Sequence, residues 1–156
     1  MVAAVTLKAR DEGNVDIAFQ MPFYPMIDDQ QPSDAERQID VPVWSTKTNR
    51  IGWGAYLSDL HKAGSEIPAY AAPARNNDYT GFPPTLTFVG TLEPFFWETR
   101  AYMEKLQAAG VDTLYKEYQG CFHAFEFFAA DKPVGRDGMD FTFNSYAAFY
   151  DKYVVS

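Results

Sequence analysis

The chain has a single cysteine, Cys121, and so cannot form a disulfide within itself. Histidine is nearly as scarce. His61 and His123 stand alone with no ligand spacing around either, which argues against a structural zinc site. Basic residues are outnumbered, 13 Lys and Arg against 21 Asp and Glu, leaving a formal charge of -8 and a pI near 4.6. Such a surface repels phosphate, so nucleic acids and anionic membranes are poor partners. No apolar run approaches the roughly 20 residues of a membrane-spanning helix. The opening residues, MVAAVTLKARDEG, carry neither the basic start nor the long apolar stretch of a secretory leader. With one thiol and no leader, the expected setting is a reducing cytoplasm. Internal repeats and low-complexity stretches are absent too.

What the chain does have is core material. Of its 156 residues 47% are hydrophobic and 17% aromatic, enough to fill one domain spanning 1–156. Val2, Val5 and Ala9 recur at helical spacing and Gly13 supplies a stop, which predicts a helix over Met1–Glu12. That helix has no polar residue ahead of it to cap its first amides, the mark of a chain that begins inside a longer one. Ile17–Met21 reads as a short buried strand closed by Pro22 and Pro25. Residues 28–80 are broken by Pro32, Pro42, Pro68 and Pro73 and read as an irregular cap or loop segment. Within it, Ser33 and Glu36 match a capping box and Trp53–Lys62 fits a short helix.

Thr85–Val89, ending at Gly90, reads as a second strand and Thr113–Tyr118 as a third. Between them Phe95, Thr99, Tyr102, Met103 and Leu106 share a helix face, with Pro94 at the start and Gly110 at the end. A last helix, capped at Thr142 or Asn144, would bury Tyr146, Phe149, Tyr150 and Tyr153. Strand, helix, strand, helix with short connections predicts an α/β fold: a short parallel sheet of about three strands with helices on both faces.

Three motifs in order carry a resemblance. They are Tyr24-Pro25-Met26-Ile27-Asp28, then Gly81 to Thr85 leading into Val89-Gly90-Thr91-Leu92-Glu93-Pro94-Phe95, and Gly120-Cys121-Phe122-His123-Ala124-Phe125. Together they resemble the C-terminal half of an α/β-hydrolase of the hormone-sensitive-lipase type, a family of carboxylesterases and lipases. The resemblance implies that Glu93 is the triad acid, in a position where most members carry Asp, and that His123 is the triad histidine. Acid before histidine is the chain order of that fold. It also implies a G-x-S-x-G nucleophile elbow directly before the first helix and a His-Gly-Gly oxyanion loop further upstream. Neither motif occurs in these residues, and Ser33, Ser45, Ser58, Ser65, Ser145 and Ser156 have no elbow around them.

Other candidates have plainer readings. Cys121 lies two residues before His123, so a Cys–His nucleophilic pair is conceivable, against the simpler role of a small buried core residue. His61, near Asp59 and Lys62, reads as surface. Asp28-Asp29 is a cation site or a solvated turn. Trp44, Trp53, Tyr56, Tyr70 and Tyr79 line an acyl pocket or pack the core. No metal or organic cofactor is implied.

The expected function is a carboxylic ester hydrolase fragment that keeps the acid and histidine, lacks the nucleophile and has no activity alone; a small acyl ester is its substrate only when completed. The alternative is a decayed, non-catalytic hydrolase serving as an oligomerisation or hydrophobic-ligand module. Ile17–Met21 would be an uncharged, unprotected sheet edge, whereas Lys116 and Glu117 protect the third strand. The expected partner is therefore a second copy, in a two-fold homodimer through that edge or an exchanged first helix, or else an N-terminal hydrolase half.

Overall fold

The computed structural model describes residues 1–30 and 32–155. Helix α1 spans Val2–Glu12, with Met1 as an N-cap that makes no side-chain cap bond and Gly13 closing it at φ 60°. Two helices then interrupt the expected irregular segment: α2, Thr46–Tyr56, and α3, Ser58–Ala63. The helix read at Trp53–Lys62 thus starts earlier and is split. Ser45 accepts from the Thr48 amide while the Thr48 hydroxyl accepts from the Ser45 amide, a reciprocal cap without the usual Glu or Gln. Of the expected Ser33–Glu36 box, the Glu36 side chain lies outside the described residues. The short turn Ala35–Arg37 is capped by Asp34, which accepts from the Arg37 amide at 3.0 Å.

Strands β1, Thr85–Gly90, and β2, Thr113–Tyr118, pair in parallel with Thr85 opposite Thr113 and Gly90 opposite Tyr118. Helix α4, Phe96–Ala108, links them, burying Phe96, Thr99, Tyr102, Met103 and Leu106. Among the described residues the sheet has two strands, and the predicted third is reduced to one bridge, Gln20 to Thr85. The reason is chemical. The Gln20 amide donates to the Pro84 carbonyl at 2.9 Å, the Leu86 amide to the Gln20 carbonyl at 3.0 Å, and the Tyr24 amide to the Phe88 carbonyl at 3.1 Å. The ladder bond due between them falls on Pro22, which has no N–H to give. Residues 20–24 thus run beside β1 as an interrupted strand.

Helices cover both faces of this sheet. On one side α1 and α4 pack through Ala3, Leu7, Tyr102, Met103 and Leu106. Arg100 of α4 also pairs with Glu117 of β2 at 2.8 Å. On the other side Phe88 and Tyr118 meet Phe125 of α5, Phe125–Phe128, and Phe141 of α6, Pro133–Tyr150. Helix α6 corrects the expected last helix. It begins at Pro133, with Pro at its first turn and Lys132 as N-cap, so neither Thr142 nor Asn144 caps it. Its buried residues include Gly135, Gly138, Ser145 and Phe149, while Phe143, Tyr146 and Tyr150 face outward. Phe19 is half-buried against Tyr146 and Phe149. Among the described residues no helix is long and apolar enough to cross a membrane.

Candidate active site

Two loops at the carboxyl ends of β1 and β2 build the site. The close approach begins at Gly90, where an added Cβ would lie 2.2 Å from the Cys121 carbonyl oxygen, so only glycine lets the second loop pass. The loops are then laced together. Thr91 donates its amide to the Tyr118 carbonyl at 3.0 Å, Leu92 to the Cys121 carbonyl at 2.9 Å, and Gly120 to the Thr91 hydroxyl at 2.9 Å. Gly120 and Ala124 bracket the second loop with left-handed backbone, φ 71° and 59°.

That lacing brings Glu93 and His123 into contact, with Glu93 Oε2 2.7 Å from His123 Nδ1. Glu93 is 1% exposed, and its Oε1 accepts from the Gly90 amide at 2.9 Å. Burial pushes its carboxyl above the usual range, against the lowering pull of His123 and the Gly90 amide. A carboxylate at Nδ1 places the imidazole proton there and leaves Nε2 as the nitrogen able to take another. Tyr24, Phe95 and Trp44 surround the imidazole at ring-centroid distances of 4.5, 5.1 and 6.3 Å. His123 lines a cavity of about 350 Å³ whose other walls include Met1, Val2, Phe23, Met26 and Trp44. The amino end of α1 thus faces the same space as the histidine.

The remaining candidates separate cleanly. Cys121 is buried with Phe88, Tyr118 and Phe125, and burial pushes its thiol up, away from the thiolate a nucleophile needs. His61 is exposed on α3. Asp29 is no solvated turn residue: Arg75 grips it at 2.7 and 2.8 Å. Among the described residues no group of three or more His, Cys, Asp or Glu is placed to hold a metal. Trp53, Tyr56 and Tyr70 line a separate apolar cleft of about 510 Å³, while Tyr79 belongs to the core. Sequence reasoning missed Glu126, two residues past Ala124, whose Oε1 accepts from the Tyr24 hydroxyl at 2.6 Å. Only the fold brings them together, across a separation of 102 residues.

Residues 1–127 match the family model described as the alpha/beta hydrolase fold. The chain belongs to the α/β-hydrolase family. Esterase LipI of Mycobacterium tuberculosis is 30% identical over 141 residues, covering 88% of this chain and 42% of that protein. Among solved structures, a bacterial heroin esterase superposes with a TM-score of 0.79 at 33% identity, covering 87% of this chain and 44% of its own. Esterase LipW of Mycobacterium marinum reaches a TM-score of 0.84 at 22% identity, covering 95% and 46%, a likeness of fold. The chain therefore spans less than half the length of these α/β-hydrolase relatives, and the partial sheet matches that share.

Proposed function

We propose that this chain supplies the acid–histidine arm of a serine carboxylic ester hydrolase. The nucleophile would come from a G-x-S-x-G turn outside these residues, docked at the amino end of α1. The observation that carries the reading is the 2.7 Å contact between buried Glu93 and His123 Nδ1, beside a cavity walled by Met1 and Val2. In the completed site His123 Nε2 takes the proton from the serine hydroxyl as its oxygen attacks the ester carbonyl. Nε2 then passes that proton to the leaving alcohol, and the cycle repeats with water on the acyl-enzyme. Glu93 holds the tautomer and stabilises the imidazolium that forms twice per turnover. The substrate class is a small acyl ester, with Trp44 and Phe95 as apolar walls beside the imidazole.

A short-chain nitrophenyl ester assay on the chain alone tests this division of labour. No turnover above buffer is expected. Turnover abolished by both His123→Ala and a serine-directed phosphonate would reveal a nucleophile within the chain and overturn the proposal.

A second reading, a non-catalytic module that binds a hydrophobic ligand, is favoured by the cleft between α1 and α2. Val5, Trp53, Tyr56, Tyr70 and Lys8 are among the residues that line it, and most of its exposed lining is apolar. Saturable binding of an apolar ester analogue to the chain, together with a completed site that hydrolyses nothing, would select this reading over the first.

A further inference from the structure

Of the three rings around the imidazole, Tyr24 lies nearest. The Tyr24 ring meets His123 edge to face, centroids 4.5 Å apart at 74°. Its backbone sits at φ 32°, a region that side-chain-bearing residues rarely adopt. Both ends of the residue are pinned. Its amide donates to the Phe88 carbonyl at 3.1 Å, and its hydroxyl donates to Glu126 Oε1 at 2.6 Å. Glu126 is itself 2% exposed, and among the described residues its buried Oε2 has no hydrogen-bond partner. Gly138 of α6 packs so tightly on it that an added Cβ would lie 2.9 Å from the Glu126 Cβ. A buried carboxylate with so few hydrogen bonds is costly, and strained backbone persists only where its surroundings over-determine it, most often at working sites. Both costs converge on the Tyr24 ring, which meets His123 on one side and Phe88 at 5.5 Å on another.

We propose that Tyr24 is a positioning residue, whose hydroxyl, anchored by Glu126, holds its ring against His123 and keeps the imidazole in a single orientation. The clamp leaves Nδ1 on Glu93 and Nε2 free for the cavity, while Phe95, 5.1 Å away at 69°, packs another part of the ring. Without the anchor the phenol swings about its side-chain torsions and the imidazole gains a second orientation. The catalytic use of the clamp rests on the ester-hydrolase reading, but the clamp itself does not require a serine.

The chain has two histidines, so ¹⁵N-histidine labelling gives two imidazoles to follow, with exposed His61 as the internal reference. In the native chain His123 should show one tautomer, protonated at Nδ1. Y24F keeps the ring and loses the donor; E126L keeps the bulk and loses the acceptor; E126Q keeps the acceptor. In Y24F and E126L, exchange of the His123 Nδ1–H with water should quicken about tenfold, the scale of one hydrogen bond, with His61 unmoved. E126Q should retain the native signals. Native His123 signals in Y24F or E126L, or equal loosening in E126Q, would overturn the clamp. Should Y24F fail to fold, E126L against E126Q decides alone. The readout needs no turnover, so an inactive completed enzyme would sink the esterase reading while leaving the clamp intact, and native signals in Y24F beside full activity would do the reverse.

Discussion

Glu98 shows how this fold spends a carboxylate on backbone rather than chemistry. Its Oε1 accepts the Ile27 amide at 2.7 Å and the Asp28 amide at 3.4 Å, tying α4 to the turn after the interrupted strand. Burial, reinforced by the charge of Asp28, pushes its carboxyl well above the usual range. The sign follows from linkage: the folded state favours the protonated form. Its stabilising contribution is complete below the ordinary carboxylate pKa, about 4.5, and is lost as pH rises through the folded value. Glu98→Gln keeps an accepting oxygen and removes the titration. In urea melts from pH 4.5 to 8 the native chain should lose stability relative to the variant as pH rises; parallel curves would contradict this. Glu93 is the opposite case, a carboxylate kept for its partner. In a completed enzyme Glu93→Gln should lower kcat by about 10⁴-fold, through the wrong histidine tautomer, and a loss under tenfold would remove Glu93 from the triad position.

At the scale of elements, glycine chemistry decides whether the two site loops can meet. Gly90→Ala sets a methyl 2.2 Å from the Cys121 carbonyl, and should cost about 2 kcal/mol or more in a denaturation midpoint analysis. Gly54 lies within α2 with nothing inside 4 Å of an added Cβ. Gly54→Ala should therefore stabilise, by about 0.5–1 kcal/mol, and a destabilised variant would show that α2 is not a free helix surface. The elements that the sequence announced are those where local chemistry and burial agree. The threonine and apolar run at 85–90, the helical spacing after Pro94 and the alternation at 113–118 all lie where expected. Glu93 and His123 meet because each lies in the loop just past its strand, three residues after Gly90 and Gly120 respectively. Elsewhere local signals misled. Pro22 spoiled a ladder that its apolar neighbours advertised, and Pro133 started a helix whose aromatic residues suggested a later beginning. The clamp on His123 was illegible because Tyr24 and Glu126 become neighbours only through tertiary packing.

As a whole molecule, the chain presents an incomplete sheet. Strand geometry turns the Gln20 and Tyr24 amides toward β1 and the Phe19 and Met21 amides the other way. Beside that edge, Phe143, Tyr146 and Tyr150 of α6 are exposed. The edge is uncharged, a poor defence against pairing, and the chain alone is expected to form a two-fold homodimer through it. Light scattering at micromolar concentration should report the dimer, and Phe19→Lys should dissolve it; a native chain that stays monomeric would contradict this. Joining a nucleophile-bearing half gives the edge a different occupant, so the joined protein should lose this mode of pairing. The same joined protein tests the central claim most directly, through hydrolysis of a short-chain nitrophenyl ester by this chain fused behind an N-terminal hydrolase half with a G-x-S-x-G turn. The expected result is turnover in the joined protein only, abolished by His123→Ala and by a serine-directed phosphonate. Turnover by the chain alone that depends on His123, or a joined protein whose activity survives His123→Ala, would contradict the assignment of this chain as the acid–histidine arm.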